Sequence, residues 1–438
     1  MTDFTRLTIV GSVKRATIVV PSDESFGALI PRLMELLDEQ VASVARPLTL
    51  LRLTGEQLDS TLSAAEQAVA DGEVLRLLRL DEAPPPPEVS DVTDAVSESL
   101  GGRAGLWSAG HRTVLGAGAV GALALAAGFE ALDGPGAAVQ ALPAILWLIC
   151  TFAGLGLALA GARATSRTLL GAALGLVVPT AVIASSGFEH GTIALVVCFT
   201  LVLAWVSLLV VTGLGRRARP AALGGGAGAV GAAVAAALLI AGLPLQDAAA
   251  IVATIAIVGV GLVPWYAMSA SGLTGLDDQV MTGRLAERSD VLTTVGDAYR
   301  TLTWTTFATA SILAAALTGL ALSSDLWALG LGAVIVLIAA LRTRAFPLSA
   351  QVWALWVAVL LPVLAGVVLH LSARPGLASA ALTAVAIIVA LLVIAQPARH
   401  QRASLRRLGN VLESIAVIAL IPLLLGSFGV YAQLLGSF

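Results

Sequence analysis

The chain has 438 residues, of which 58% are hydrophobic and only 12% are charged, and its mean hydropathy is +0.92. A soluble domain carries about 25% charged residues, so this composition excludes an ordinary soluble protein and indicates an integral membrane protein. The net charge of −3 and the lack of a basic stripe with interleaved aromatic residues argue against nucleic acid as a partner.

The first 82 residues differ from the rest of the chain and predict a small soluble domain. Arg6–Val10 and Ala16–Val20 read as two strands joined by a turn at Gly11-Ser12. Leu48–Leu53 and Val74–Leu80 predict two later strands, which are separated by a short helical or looped insert.

A helix is predicted between these two pairs of strands. Ser25 is placed to cap it, and it runs to about Val41. The leucines at helical spacing form its apolar stripe: Leu29, Leu33, Leu36 and Leu37. The order β-β-α-β-β predicts an N-terminal ubiquitin-like β-grasp domain over residues 1–82. No signal peptide is predicted, so we expect this head in the cytoplasm.

The end of the head bears on its role. Ubiquitin needs a free Gly-Gly tail for conjugation, whereas here the last strand leads into Asp81-Glu82-Ala83 and then Pro84–Pro87. This argues against covalent tagging and favours a built-in docking module; a head that is only a stable cap is the alternative. The proline run is extended and semi-rigid, and it lies in a predicted linker over residues 83–112.

Residues 113–438 predict an all-α polytopic membrane domain. A helix needs about 20 apolar residues to cross the bilayer core, and the sequence contains eleven such stretches. The eleven predicted spans are about Thr113–Ala131, Val139–Ala160, Thr168–Ser186, Thr192–Leu214, Ala221–Gly242, Ala248–Ala270, Leu302–Leu322, Leu326–Leu341, Ala350–Leu371, Leu377–Gln396 and Val411–Leu434.

The links between the spans are alternately rich in arginine and almost empty of it. Arginine stays on the cytoplasmic side of a membrane helix, so this alternation predicts eleven spans with a cytoplasmic N-terminus and an extracytoplasmic C-terminus. The intervening links contain a single arginine, Arg374. The arginine-rich links contain Arg163 and Arg167; Arg216, Arg217 and Arg219; Arg284, Arg288 and Arg300; Arg342 and Arg344; and Arg399, Arg402, Arg406 and Arg407.

The predicted spans carry almost no charge, and only Glu413 comes close to a span interior. An ionisable group at mid-membrane costs about 2.5–3.5 kcal/mol, so proton- or ion-coupled carriers keep such groups for function. Their scarcity argues against coupled transport and intramembrane proteolysis. The histidines and cysteines are scattered along the chain: His111, His190, His370, His400, Cys150 and Cys198. The sequence therefore predicts no catalytic, cofactor-binding or metal site.

Two further features concern packing and docking. Gly171-x-x-x-Gly175 and Gly224-x-x-x-Gly228 have the small-residue spacing that lets membrane helices approach closely. The link Ser271–Thr301 interleaves charged and apolar residues. It predicts one or two short amphipathic helices at the membrane face, which are either a docking surface or a solvated connector.

The head, the proline-containing linker and the eleven spans together resemble the EccD family, a membrane component of type VII (ESX) secretion systems. Phe26-Gly27-Ala28-Leu29-Ile30-Pro31 looks like the start of the family's head helix, and Asp71-Gly72-Glu73-Val74-Leu75 like the turn before its last strand. The resemblance implies a non-enzymatic inner-membrane protein without cofactors. Its implied partners are EccB, the EccC ATPase, EccE, a second copy of itself and membrane lipids.

Two other functions are weighed against this one. A permease-type transporter with a regulatory ubiquitin-like head predicts internal inverted repeats and polar groups at mid-span, and neither is evident. An intramembrane enzyme lacks a constellation of candidate residues. The sequence therefore favours a structural component that helps to form the secretion complex and docks its ATPase.

Overall fold

In a computed structural model, the chain divides into two compact units, Met1–Leu106 and Trp107–Phe438. The structure describes residues 4–11, 14–37, 48–52, 55–79, 107–188, 193–272, 288–372, 374–394 and 399–435. Several predicted features lie outside these ranges: the helix end near Val41, Leu80 of the last strand, the linker as far as residue 106, and residues 273–287 of the long link.

The N-terminal unit is built on a five-stranded sheet with the order β2-β1-β5-β3-β4. Its strands are β1 (Phe4–Val10), β2 (Arg15–Pro21), β3 (Leu48–Arg52), β4 (Gln57–Leu58) and β5 (Glu73–Arg79). β1 pairs in parallel with β5, and the other neighbouring strands pair antiparallel. The four predicted strands are confirmed. Strand β4 was not predicted, because two residues are too few to show a period-2 pattern.

Helix α1 (Phe26–Leu37) packs against this sheet. Leu29, Leu33 and Leu37 are buried, since residues four apart share one helix face. Leu36 is 51% exposed, so its assignment to the apolar stripe was wrong. The backbone N–H groups of Phe26 and Gly27 donate to the carbonyls of Leu62 and Ser60. The insert before β5 therefore satisfies the first turn of the helix. A single core unites helix and sheet: Leu7, Ile9, Val20, Phe26, Leu29, Leu33, Leu37, Leu50, Leu58, Ala64, Val69, Leu75 and Leu77.

The second unit is a helical bundle. Its helices are α2 (Ala109–Leu132), α3 (Ala137–Gln140), α4 (Leu142–Leu159), α5 (Arg163–Ser186), α6 (Ile193–Leu208), α7 (Arg219–Ile240), α8 (Leu245–Ala270), α9 (Arg288–Ala321), α10 (Leu326–Arg342), α11 (Ser349–Leu371), α12 (Pro375–Ile394), α13 (Arg399–Ser427) and α14 (Val430–Leu435). Helix α6 continues through a π-helical turn, Leu209–Leu214, and α10 is followed by a 3₁₀ turn, Thr343–Ala345.

Every predicted span overlaps one of these helices or one joined pair. Within the described residues, 10 helical segments are long and apolar enough to cross a membrane. The remaining prediction, Leu377–Gln396, falls on the 20-residue apolar helix α12, of which Pro375–Ile387 counts as a shorter apolar helix within the described residues. The protein therefore has a membrane domain of ten or eleven apolar helices, as the sequence predicts.

The long link differs from its prediction. Residues 288–301 are not a separate surface helix but the first turns of α9, a continuous helix of 34 residues. This helix lies at the centre of the bundle, packed against α7, α8 and α11. Its core residues include Leu313, Leu317 and Leu320, which are almost completely buried.

Both glycine motifs lie at close helix contacts. A Cβ added at Gly171 or Gly175 would collide with the backbone of Ala117 or Gly121 on α2. A Cβ at Gly224 or Gly228 would collide with Trp304 or Trp205. The glycines therefore let α5 lie directly on the α2 backbone, and let α7 pack against the backbone of Trp304 and the indole ring of Trp205.

Candidate functional site

The acidic residue singled out in the sequence, Glu413, is bound by two arginines. Arg342 Nε donates to its Oε1 at 3.0 Å, and Arg344 Nη2 donates to its Oε2 at 3.3 Å. Arg342 also donates through Nη1 to the carbonyl oxygen of Ile257 at 2.7 Å. We call Arg342, Arg344 and Glu413 the ion cluster. It connects α13 to the end of α10 and, through Ile257, to α8.

The local sequence makes room for this cluster. A Cβ at Gly261 on α8 would collide with the guanidinium of Arg342, and a Cβ at Gly409 on α13 would collide with that of Arg344. The side chains of Arg342 and Glu413 are only 21% and 25% exposed. Because both carboxylate oxygens of Glu413 are bound to arginine, its position favours a structural role over proton transfer.

A second polar network joins the same three helices elsewhere. Gln246 on α8 donates through Nε2 to Asp325 Oδ2 at 3.2 Å and to the carbonyl oxygen of Ser427 at 3.0 Å. Ser323 Oγ donates to Gln246 Oε1 at 2.7 Å, and Asp325 Oδ2 accepts the N–H of Ala328 at the start of α10. Glu413 and Ser427 are roughly 21 Å apart along α13, at 1.5 Å per residue.

These two attachments matter because α13 has little apolar burial. Only 17% of the membrane segment of α13 is buried, against 56% for α9. Polar contacts at two places along α13, Glu413 and Ser427, therefore fix the position of this helix, most of whose remaining surface faces outward. The unit offers a positioned, largely apolar outer face on α13 for lipid or for another protein.

A cavity of about 800 Å³ lies between α6, α7, α8, α9 and α11. Its lining is almost entirely apolar and includes Val197, Ala235, Val252, Ile312 and Leu361. The two hydroxyl groups in the lining are satisfied. Ser311 Oγ accepts from Trp205 Nε1 and donates to the carbonyl of Ala308, and Thr318 Oγ1 donates to the carbonyl of Ala314. The cavity therefore favours apolar contents.

The two histidines with described side chains and the two cysteines form no common cluster. His111 Nδ1 bonds with Ser108 at the start of α2, and His370 Nε2 lies 2.9 Å from the carbonyl oxygen of Ala321. Cys150 and Cys198 are free thiols. His190 lies outside the described residues, as does the side chain of His400. Within the described part of the chain, no group of three or more His, Cys, Asp or Glu is arranged to hold a metal ion.

The architecture agrees with the comparison with protein families. Residues 111–437 match the model of the EccD-like transmembrane domain. The chain belongs to the EccD family. Residues 4–77 of this EccD-family chain match the model of protein YukD of the WXG100 protein secretion system. These matches confirm the resemblance drawn from the sequence, for a multi-pass membrane protein with a ubiquitin-like N-terminal domain.

Solved structures show the same fold. The EccD-family chain is similar to protomer 1 of the ESX-3 core complex, with 19% identity and a TM-score of 0.60, covering 98% of this chain and 100% of that one. It is also similar to a chain of the MycP5-free ESX-5 inner membrane complex, State II, with 16% identity and a TM-score of 0.54, covering 90% and 100%. At these identities the likeness shows the fold alone. No curated protein gives a significant match.

The sequence did not indicate which residues come together in either polar site, and Arg342 and Arg344 stood out only as charges of a link. Glu413 was visible as an acidic residue near a span. Its arginine partners are 69 and 71 positions away, and Gln246 is 181 positions from Ser427. The available signal was weak: Gln246, Ser323 and Asp325 are polar residues at the ends of neighbouring spans.

Proposed function

We propose that this chain is a non-enzymatic structural component of a type VII (ESX) secretion complex, in the inner membrane. It helps to form the membrane assembly and docks the cytoplasmic ATPase component for protein export. The observation that carries the proposal is the match of residues 111–437 to the EccD transmembrane domain. The ion cluster supports it, because the acidic group nearest a span interior is bound to two arginines and joins helices together.

The proposed partners are EccB-, EccC- and EccE-like components, membrane lipids and a second copy of the chain. The two similar structures come from complexes described as the ESX-3 core complex and the ESX-5 inner membrane complex. The outward surface of α13, fixed by its two polar attachments, supports contacts with lipid or with a neighbouring subunit. The proposed division is a head over residues 1–82, a linker over 83–112 and a membrane domain over 113–438.

The proposed topology has a cytoplasmic N-terminus and an extracytoplasmic C-terminus. It rests on the alternation of arginines in the links between spans. The head and the arginine-rich links then share one side of the membrane. The start of α9 lies on that side too, so the proposed docking surfaces for the ATPase are the head and this end of α9.

The alternative, a permease with a regulatory head, has less support. Its substrate path would need groups that bind and release a solute near mid-membrane. The described cavity instead has an apolar lining with both hydroxyls already bonded. An apolar lining of this kind suits a lipid-exposed hollow better than a path for a polar solute.

Affinity purification of the full chain from membranes in mild detergent tests the proposal. We expect it to elute with an ATPase-bearing component, in an assembly much larger than the chain's own 44.3 kDa. A variant lacking residues 1–82 should keep its membrane partners and retain less of the ATPase. Elution of the full chain only as a lone monomer would contradict the structural role. Undiminished retention of the ATPase by the shortened variant would contradict a docking role for the head.

A flux assay separates the two functions. The purified chain, reconstituted by itself in liposomes, should not move solutes, because the proposal assigns it no transport path of its own. Substrate-dependent flux through this protein alone would support the permease instead.

A further inference from the structure

Three arginines lie near one another on one side of the membrane domain, where α4 and α6 end and α5 begins. Arg163 and Arg167 lie one turn apart at the start of α5, and Arg216 follows the π-helical turn of α6. Packing holds these ends together: Ser166 Oγ donates to the carbonyl oxygen of Gly154 on α4 at 3.1 Å. We call Arg163, Arg167 and Arg216 the arginine site.

Among the described residues, no acidic side chain forms an ion pair with the arginine site. The Nε and Nη2 atoms of Arg216 are buried and have no hydrogen-bond partner among the described residues. Burial, and then the charges of Arg167 and Arg163, lower the pKa of Arg216. Within the described residues, the arginines in ion pairs lie elsewhere in the chain: Arg32, Arg52, Arg300, Arg342 and Arg344.

The helix ends add to this positive potential. Helix α5 begins after Ala162, which provides no side-chain cap, and its first turn contains no acidic residue. The N-terminus of a helix carries partial positive charge. Two arginines in the first turns of α5 are therefore unfavourable by themselves and become favourable when an anion is bound.

The surroundings indicate which anion. Leu159 at the end of α4 and Leu214 at the end of the π-helical turn are 56% and 54% exposed. Both leucines end membrane-spanning segments, so their exposed side chains lie where acyl chains begin. Basic pockets between membrane helices at the level of the headgroups bind anionic lipids. Apolar contacts with these leucines favour a ligand that carries acyl chains over a soluble anion or an acidic peptide.

We propose that Arg163, Arg167 and Arg216 bind the phosphate of an anionic phospholipid, whose acyl chains follow Leu159 and Leu214 into the membrane. The bound phosphate compensates the guanidinium of Arg216 and the start of α5. The lipid thereby holds α4, α5 and α6 together at this end of the domain. The proposal concerns the membrane domain alone and does not depend on the secretion partners.

Binding of phosphatidylglycerol to the full chain in detergent tests this site, with native mass spectrometry and the melting temperature as readouts. We expect phosphatidylglycerol to bind and to raise the melting temperature, and phosphatidylcholine to do so at least tenfold more weakly. The triple variant Arg163→Gln, Arg167→Gln and Arg216→Gln should lose this preference. The matched control Arg374→Gln, an exposed arginine in the arginine-poor link, should keep it.

Two competing ligands serve as further arms. Inorganic phosphate at equal concentration should not reproduce the stabilisation; if it does, the site is for a soluble phosphate and the lipid proposal is wrong. Stronger binding of an acidic peptide than of the lipid would likewise overturn it.

Equal preference for phosphatidylglycerol in the wild type and the triple variant would also overturn the proposal. If the triple variant does not fold, each single variant should show a weakened preference, and three unchanged single variants would contradict the proposal.

Discussion

Arg342 Nε and Glu413 Oε1 lie 3.0 Å apart, although the two residues are separated by 71 positions in the chain. The pair joins the end of α10 to α13, and Arg342 also donates a hydrogen bond to the backbone carbonyl oxygen of Ile257 on α8. The pair favours a structural role for Glu413, the strongest candidate for a proton-transfer group in the sequence.

Replacement of this carboxylate should weaken the membrane domain. Glu413→Gln leaves Arg342 and Arg344 without their counter-charge, and we expect a loss of roughly 1.5–3 kcal/mol in the free energy of unfolding, the range for hydrogen bonds to charged groups. Thermal unfolding in detergent measures the change. The control is Glu130→Gln, an exposed glutamate on α2, which should have almost no effect. Equal destabilisation by both variants would contradict a special role for the ion cluster.

The contact between α2 and α5 should be intolerant of a single methyl group. Gly175→Ala places a Cβ into the backbone of Gly121, and overpacking of this kind costs about 1–3 kcal/mol. Gly118→Ala on α2 is the matched control, because nothing lies within 4 Å of the added Cβ. The melting temperature should fall for the first variant only. An unchanged melting temperature for Gly175→Ala would show that the two helices can move apart without cost.

The head should lose stability in acid through two carboxylates. Asp59 accepts hydrogen bonds from the hydroxyl and the N–H of Thr61, and these bonds lower its pKa below the usual 3.8. Glu66 accepts from the N–H and the hydroxyl of Ser63, which lower its pKa below the usual 4.5. A lowered pKa in the folded state stabilises the fold above the unfolded value. The contribution is therefore complete above about pH 4.5 and disappears as the pH falls through the lowered values.

Amide hydrogen exchange of head residues in the full chain measures this effect as protection factors. Asp59→Asn with Glu66→Gln should reduce protection at pH 7, and the difference from the wild type should shrink as the pH falls through the lowered pKa values of the two carboxyls. Glu35→Gln, on the exposed side of α1, serves as the control. A pH-independent difference between the double variant and the wild type would rule out the ionised carboxylates as the cause.

The proposed topology makes a direct prediction. Alkaline phosphatase, which is active only outside the cytoplasm, should be active when fused after Phe438. The same reporter fused after Arg217, in an arginine-rich link, should be inactive, since that link is expected in the cytoplasm. Inactivity of the fusion after Phe438, with the protein present in the membrane, would contradict an odd number of spans.

Most of the correct predictions from the sequence rest on patterns among neighbouring residues. The period-2 strands of the head, the apolar spans and the glycine spacing each arise from neighbouring residues, and the structure confirms them. Leu36 shows the limit of such reasoning: at about 100° per residue it fits the same stripe and lies at the edge of it, next to Leu29. It is nevertheless 51% exposed, because spacing does not show how far the sheet covers that edge.

The remaining features depend on contacts between distant segments. Arg342 carries no local sign that it will meet Glu413, and Gln246 none that it will bond with Ser427. Residues 288–301 look amphipathic and self-contained, yet their helical hydrogen bonds continue without interruption into α9. Propagating an existing helix is favourable, whereas ending it and nucleating another is costly, so charged residues alone did not mark a boundary.

The length of α9 has a structural consequence. At 1.5 Å per residue, its 34 residues extend roughly 51 Å, whereas the hydrocarbon core of a bilayer is about 30 Å thick. No proline interrupts it, in contrast to α5, α8, α11 and α13. Helix α9 is thus longer than the hydrocarbon core is thick, and α7, α8 and α11 pack against it. A partner that binds the exposed N-terminal turns of α9 would therefore contact the same continuous helix that lies at the centre of the bundle.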